Sequence, residues 1–367
     1  MTGGDEIGYL TALNMVFRYR GGTARALLDH FGSAADIFGQ SALDLARMTG
    51  LSVKTTAGLI SEQSIRAAEK EIEWTINEGI KTYTLYGNGY PERLAQCPDA
   101  PVLLYQRGPV TLSGKKTLAI VGTRNATPYG IQTTERLVKE LARRGHNCSI
   151  ISGLAYGIDI TAHKTALEAG LPTIAVFAFG LDHIQPAAHT SIAKRIEQTG
   201  ACVTDFPSQT VVNKSNFLKR NRIIAGLADG VLVIESKEKG GALITADIAQ
   251  SYNREVMAVP GRCNDICSHG CNNMIRNQRA GLVNCVEDIE QQLGWIPETT
   301  HPPGQSVDPS LDLIDSALLQ SLDLGPQSID HLHRITQLPL PELSARLMRL
   351  TLNGSIKRLQ QHHYIRL

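Results

Sequence analysis

Apolar positions change their spacing twice along this chain, and each change marks a boundary. Over residues 1–76 they recur at helical spacing, in the runs 25–32, 33–38 and 43–51, with Gly32 and Gly50 placed where helix-ending glycines belong. These are short helices, an outline compatible with a small helix-hairpin-helix bundle. Such hairpins can grip a DNA backbone through their Gly-containing turns, although helical packing modules of this size are common. From residue 77 to 294 the pattern becomes continuous apolar runs of strand length, at 117–121, 148–152, 173–179, 202–204, 230–235, 255–259 and 282–286. Amphipathic stretches separate them, at 130–144, 158–169, 190–198, 217–228, 242–252 and 272–279. Strands apolar on both sides, alternating with helices, predict a mostly parallel sheet covered on both faces. Six or seven strands favour an open, doubly wound Rossmann-like α/β fold over a closed barrel. Residues 82–110 add a strand-rich entrance to that sheet.

The second change is compositional. Residues 295–310 carry Pro297, Pro302, Pro303 and Pro309 and few bulky apolar residues, which reads as a linker. After it, residues 311–367 outline three helices (311–322, 328–337, 341–353) and a hairpin, the plan of a winged helix. Its cations Arg334, Arg346, Arg349, Lys357, Arg358 and Arg366 nearly balance its acids, so it fits a protein-docking module as well as a duplex reader.

Composition narrows the function classes. With 36 Lys and Arg against 35 Asp and Glu, the formal charge is +1, so nucleic-acid binding would have to use a local patch. No run approaches the roughly 18–20 apolar residues that span a bilayer, and no signal peptide is apparent, so no membrane association and a cytoplasmic location are expected. The 7 cysteines are then expected as reduced thiols.

One patch stands out. Lys219, Arg220 and Arg222 sit at the head of the apolar run 217–227, Lys214 lies just upstream, and no acid occurs between Phe206 and Ala228. Uncompensated cations at an expected helix start suit an anion. In an open α/β sheet ligands bind beyond the C-terminal strand ends. Here those ends run into Gly122-Thr123-Arg124, Ser152-Gly153 with Gly157, Gly180, Gly240-Gly241 and Gly261. Glycine lets a phosphate approach the backbone and the following helix start offers free N–H groups. Thr123 and Ser152 add hydroxyls and Arg124 a bidentate fork. Each glycine alone could serve only a tight βα turn; together they point to a phosphate-binding edge.

Missing motifs matter as well. The chain lacks Gly-x-x-x-x-Gly-Lys-Ser/Thr, strand-linked Gly-x-Gly-x-x-Gly and Gly-x-Ser-x-Gly, which disfavours a P-loop ATPase, a dinucleotide cofactor and a serine hydrolase. Asp159 and His163 share a helix face without a third ligand, so a structural hydrogen bond is preferred over a metal or acid–base pair. Cys263, Cys267 and Cys271 with His269 have zinc-type ligands at an unusual spacing, and free thiols are the default. No cofactor and no metal are expected. Aromatic residues make up 5% of the chain, with Tyr129, Tyr156 and Phe217 nearest the glycine edge as candidate stacking surfaces or core residues.

Five motifs in order, Ala119–Arg124, Ser152–Asp159 with Ala162-His163, Arg220–Leu227, Gly241–Ala246 and Ala258–Gly261, resemble the DNA-processing protein A (DprA/Smf) family. The resemblance covers the α/β core and extends to the flanking helical and winged-helix segments. It implies a non-enzymatic protein of natural transformation that binds incoming single-stranded DNA, helps load the RecA recombinase and forms a homodimer through the Rossmann-like core. Carried over by position, Arg124 and Lys219, Arg220, Asn221 and Arg222 would line the strand pocket, with Lys214, Phe217 and the loops at Gly122, Gly153, Gly157, Gly240 and Gly241 around them. Two departures stand out. Gln185-Pro186-Ala187-Ala188-His189 replaces the family's Tyr-Pro-x-x-Asn, which implies loss of a backbone-contacting cation there. Gly240-Gly241 replaces Ser-Gly-Ser, and Thr123 replaces Ser, both mildly. The rival readings are a nucleotide-binding or nucleotide-processing Rossmann-like enzyme, with Glu235 as its candidate carboxylate, and a winged-helix regulator whose core senses a nucleotide.

Overall fold

The computed structural model describes residues 3–17, 21–114, 116–297, 313–323, 325–352, 355–359 and 363–366. They fall into two compact units divided between Thr299 and Thr300. Most of the expected linker, residues 298–310, lies outside the described residues.

The first unit opens with six helices: α1 (Gly3–Phe17), α2 (Gly21–Phe31), α3 (Ala34–Phe38), α4 (Ala42–Thr49), α5 (Val53–Leu59) and α6 (Glu62–Asn77). Ser33, Ser41, Ser52 and Ser61 each cap the helix that follows by accepting a backbone N–H. Gly32 and Gly50 take the left-handed conformation at helix ends, with φ of 82° and 67°, as their positions predict.

The sheet follows. Its strands are β1 (Lys81–Thr84), β2 (Leu103–Arg107), β3 (Thr117–Val121), β4 (Ser149–Ser152), β5 (Thr173–Val176), β6 (Ala201–Thr204), β7 (Gly230–Val233), β8 (Glu255–Ala258) and β9 (Gly281–Leu282). They lie in the order β1-β2-β6-β5-β4-β3-β7-β8-β9. From β6 to β9 every pairing is parallel, and β1 and β2 add an antiparallel edge, the entrance expected from residues 82–110. The segment 282–286 is the exception to the strand expectation. Only Gly281–Leu282 pairs, and Val286 already begins a helix whose start Cys285 caps together with Asp288.

Between the strands run α7 (Glu92–Ala95), α8 (Pro128–Arg143), α9 (Ile158–Glu168), α10 (Thr190–Thr199), α11 (Lys214–Leu227), α12 (Gly241–Ser251) and α13 (His269–Arg276), and α14 (Val286–Leu293) follows the last strand. Strand residues alternate between two cores, as a two-residue period requires. Ala119, Val121, Ile151, Val231 and Val233 join the face packed by α10, α11 and α12. Leu118, Ile120, Ile150, Leu232 and Ile234 join the face packed by α8, α9 and α14. The sheet is therefore buried on both sides, which is why its strands read as unbroken apolar runs.

The N-terminal helices share the first of these cores, since Leu10, Leu13 and Phe17 cluster with Leu103 and Tyr105. Polar contacts pin them as well. Asn14 donates to the Asp205 carbonyl at 2.8 Å, and Glu71 accepts from the Ser208 backbone N–H at 2.8 Å and hydroxyl at 2.5 Å. The Asp205 carboxylate in turn pairs with Arg222 of α11, and both side chains are buried. Arg222 also donates to the Asp99 carbonyl.

The second unit contains α15 (Leu313–Asp323), β10 (Gln327–Ser328), α16 (Ile329–Thr336), α17 (Leu340–Leu352), β11 (Ile356–Arg358) and β12 (His363–Arg366). Its three strands lie in the order β10-β12-β11 beside a core of Leu318, Leu332, Leu343, Leu347, Ile356 and Tyr364. This is the expected winged helix. Buried Asp315 pairs with both Arg346 and Arg349 of α17. Two of the cations available for a DNA backbone are thus engaged inside the unit.

Removing one partner of a buried ion pair leaves the other charge stranded. Asp205→Ala is expected to destabilise the first unit by about 3–5 kcal/mol. A shift of the urea midpoint tests this, and Asp205→Ala/Arg222→Met should recover part of the loss. An unchanged midpoint in the single variant would remove this clamp from the account.

Candidate nucleic-acid interface

The chain passes from β3 through β4 and β5 to β6 on one side, then returns to place β7 on the other side of β3. The order reverses between β3 and β7, and loops leaving two such strands diverge and open a crevice at their C-terminal ends. A cavity of about 550 Å³ occupies that place. The loop after β3 supplies Gly122, Thr123, Arg124 and Asn125, and the loop after β7 supplies Ser236, Lys237, Lys239, Gly240 and Gly241. Helix α11 forms the third wall, and Ala155 and Asp159 also line the cavity.

Helix α11 starts earlier than its apolar run suggests. Asn213 accepts the Asn216 N–H at 3.1 Å and caps a helix that begins at Lys214. The cations expected at a helix start therefore sit in its second and third turns, and only Lys214 lies in the first turn. A helix turns about 100° per residue, so neighbours in sequence face different ways. Phe217, Arg220, Asn221 and Ile224, spaced three and four apart, line the cavity. Lys219 and Arg222 do not, and Arg222 points instead to Asp205. The idea that no acid compensates this segment holds only within its own stretch of chain. Asp205 lies one residue outside it.

Arg220 is the side chain on which the cavity turns. It is 4% exposed, and its guanidinium donates to the Gly153 carbonyl at 2.9 Å and to the Val176 carbonyl. A Cβ on Gly153 would collide with that guanidinium. Gly153 is required to admit an arginine, not a phosphate, and it stays outside the cavity lining. Burial lowers the Arg220 pKa to about 10, with Asp159 opposing the fall and the Arg124 charge adding to it. The Arg220 Nε makes no hydrogen bond. Arg124 is exposed, and its guanidinium sits 5.1 Å from the Phe217 ring centroid, a cation–π contact at the cavity wall.

Other expected residues hold the loops. Ser152 donates its hydroxyl to the Ile120 carbonyl at 2.6 Å, tying β4 to β3 rather than facing a ligand. Gly157 has φ 74°, and a Cβ there would strike the Thr123 carbonyl. Neither lines the cavity. Asp159 accepts the backbone N–H groups of Gly153 at 3.1 Å and Ala155 at 3.4 Å. Burial raises its pKa above the ordinary carboxyl value, against the pull of Arg220 and those amides. His163 bonds through Nδ1 to the Thr173 hydroxyl at 2.7 Å, so the two helix neighbours act separately as structural groups.

Glu235, the carboxylate of the enzyme reading, is fully buried. It accepts the Thr127 N–H at 3.0 Å and the Thr127 hydroxyl at 2.5 Å, and its carbonyl accepts the Thr123 N–H at 2.8 Å. It fastens the Arg124 loop to β7 and does not line the cavity.

Of the three candidate stacking rings only Phe217 lines the cavity. Tyr129 donates to the Pro260 carbonyl at 2.6 Å, and Tyr156 packs edge-on against His189 at 4.7 Å. The departure at 185–189 turns through a cis Gln185–Pro186 bond, and buried His189 bonds the Leu154 carbonyl at 2.8 Å. Cys271 is buried with its thiol toward the Val233 carbonyl, while Cys263 is exposed. Among the described residues no group of three or more His, Cys, Asp or Glu is placed to hold a metal ion.

Sequence reasoning missed Lys237 and Lys239, both exposed on the cavity. The signal was present, since both fall in Lys237-Glu238-Lys239-Gly240, at the start of the loop already singled out.

These features can be set against known proteins. The family model described as DNA recombination-mediator protein A matches residues 81–294, and the DprA winged helix domain model matches residues 301–361. This chain belongs to the DprA/Smf family. The DNA processing protein DprA of Bacillus subtilis is 40% identical over 217 residues, covering 59% of this chain and 72% of the relative. The X-ray structure of DNA processing protein A from Streptococcus pneumoniae aligns with a TM-score of 0.67 at 29% identity, over 78% of this chain and 97% of that one. A second DprA structure, from Helicobacter pylori, aligns with a TM-score of 0.53 at 30% identity, over 58% and 95%. Its study concerns a single-stranded DNA binding mode of that protein. Among the described residues no helix is long and apolar enough to cross a membrane.

Burial lowers the His163 pKa to about 3, reinforced by the Arg220 and His189 charges. The folded state holds this ring neutral, whereas the unfolded chain protonates it near pH 6.5. The unfolded state therefore binds more protons between pH 6.5 and 3, and stability falls as pH drops through that window. His163→Gln should flatten the dependence between pH 6.5 and 4, measured by urea denaturation at each pH. An unaltered slope would mean that other groups set it.

Proposed function

We propose that this protein binds single-stranded DNA in the cavity between β3 and β7 and delivers it to the RecA recombinase during DNA uptake and recombination, without chemically altering the strand. The observation that carries this reading is a cationic cavity whose one lining carboxylate among the described residues, Asp159, is held by backbone amides. Arg124, Lys214, Arg220, Lys237 and Lys239 line it with one carboxylate, Asp159, among the described residues. Such a lining attracts a phosphate chain and offers Phe217 as a limited apolar contact for a base. Glu235 cannot attack or protonate a ligand while it holds Thr127. The Helicobacter pylori relative's single-stranded DNA binding supports the same ligand here. The protein is read as a cytoplasmic homodimer formed through the Rossmann-like core. Helix α17, two of whose arginines are engaged by Asp315, fits a partner-docking role for the winged helix better than a duplex-reading one.

The test compares oligo-dT with the matching duplex over a series of salt concentrations. The wild type should prefer the single strand, with affinity falling steeply as salt rises. Arg124→Ala should weaken the single-strand complex by about tenfold and reduce the log–log salt slope by about 0.7. Lys54→Ala, on the exposed surface of α5, serves as the control. Full affinity in Arg124→Ala would place the strand elsewhere.

A further inference from the structure

The cavity holds more positive charge than one bridging phosphate needs. A phosphodiester carries one negative charge, whereas a phosphomonoester carries about 1.5–2 at neutral pH. Arg124 lies close enough to disfavour the charge on Arg220, a repulsion that an anion between them would relieve. Lys237 and Lys239 approach from the opposite loop.

Donors converge at the same place. Helix α12, of 11 residues, starts at the cavity with Gly240 as its N-cap, and no side chain caps it. Its first N–H groups and the positive end of its dipole are available to an anion. Open space lies where a Cβ on Gly241 would project. The second, independent feature is Arg220 itself, more than nine-tenths buried and lining the cavity, a charge that the Gly153 and Val176 carbonyls hold at the cavity wall.

The remaining lining suits a nucleoside. Asn125, Asn221 and Thr245 offer donors and acceptors, and Phe217 an apolar ring. About 550 Å³ falls within the range of sites that enclose a whole small molecule. The β3/β7 switch point is where open α/β sheets take nucleotides.

We propose that the cavity is a phosphomonoester site that seats a terminal nucleotide: either the 5′-phosphate end of a strand or a free nucleoside monophosphate that competes with the strand. The strand-end source rests on the single-strand reading above, and the free-nucleotide source does not.

The experiment uses the full chain and three measurements. The first compares oligo-dT of about 20 nucleotides with and without a 5′-phosphate, each labelled at its 3′ end; the phosphorylated strand should bind about tenfold tighter. The second displaces the 5′-hydroxyl strand with dTMP, thymidine or inorganic phosphate; dTMP should act at a concentration about tenfold below that of thymidine. The third repeats both with Lys237→Ala/Lys239→Ala, two exposed positions that leave the core intact. That variant should bring the two strand affinities together and erase the advantage of dTMP.

A 5′-phosphate effect without dTMP displacement assigns the site to strand ends, and the reverse assigns it to free nucleotides; either supports the proposal. Equal affinities for the two strands, with dTMP no better than thymidine, overturn it. If neither strand binds, the single-strand reading fails. Calorimetric titration with dTMP then decides the phosphomonoester site alone, heat of binding upholding it and no heat overturning it.

Discussion

A guanidinium buried at the edge of a parallel sheet is the constraint around which this site is built. Arg220 can occupy that position only because carbonyls of Gly153 and Val176 accept its hydrogen bonds and the Asp159 charge lies close by. Gly153 must lack a side chain for the guanidinium to fit. Asp159 in turn orders the loop after β4 through two backbone amides. The stretch from Ser152 to Asp159 is thus largely a socket for an arginine on another helix. Its conformation depends on that one side chain, which also brings one of the five cations to the cavity lining.

Division of labour among charges follows the same logic. A carboxylate free to face the cavity would repel a phosphate, and Asp159, the one carboxylate lining it among the described residues, is held by backbone amides, while other buried acids serve the scaffold. Glu235 fastens the Arg124 loop, Asp205 holds Arg222 and ties α11 to the N-terminal helices, and Glu71 holds the turn at Ser208. The near-neutral protein therefore presents a strongly cationic cavity without a net excess of cations. Placement does what composition does not.

Much of the fold was legible from the pattern of apolar positions. Unbroken apolar runs marked the parallel strands because both faces of the sheet are covered, and glycines at strand ends marked the edge on which the cavity opens. The strand assignment for 282–286 failed because Val283 and Val286 are buried by a turn and a helix start, and burial alone does not distinguish these from a strand. The cation cluster misled in a related way. Lys219, Arg220 and Arg222 are near neighbours in sequence, but helical rotation sends only Arg220 to the cavity, while Lys237 and Lys239 reach it from a separate loop.

By itself the sequence determined the alternation of strands and helices, the glycine-lined edge, the winged-helix outline and the family motifs, since each is carried by local spacing. Only the tertiary structure decided which cations face the cavity, which acids are spent on scaffolding, and that Ser152, Gly153 and Gly157 serve the protein's own backbone. Those outcomes depend on groups far apart in the chain, such as Arg220 with Gly153 or Glu235 with Thr127, brought together by the crossing of β7 beside β3. Local sequence sets what each residue can do; the sheet order sets what it meets.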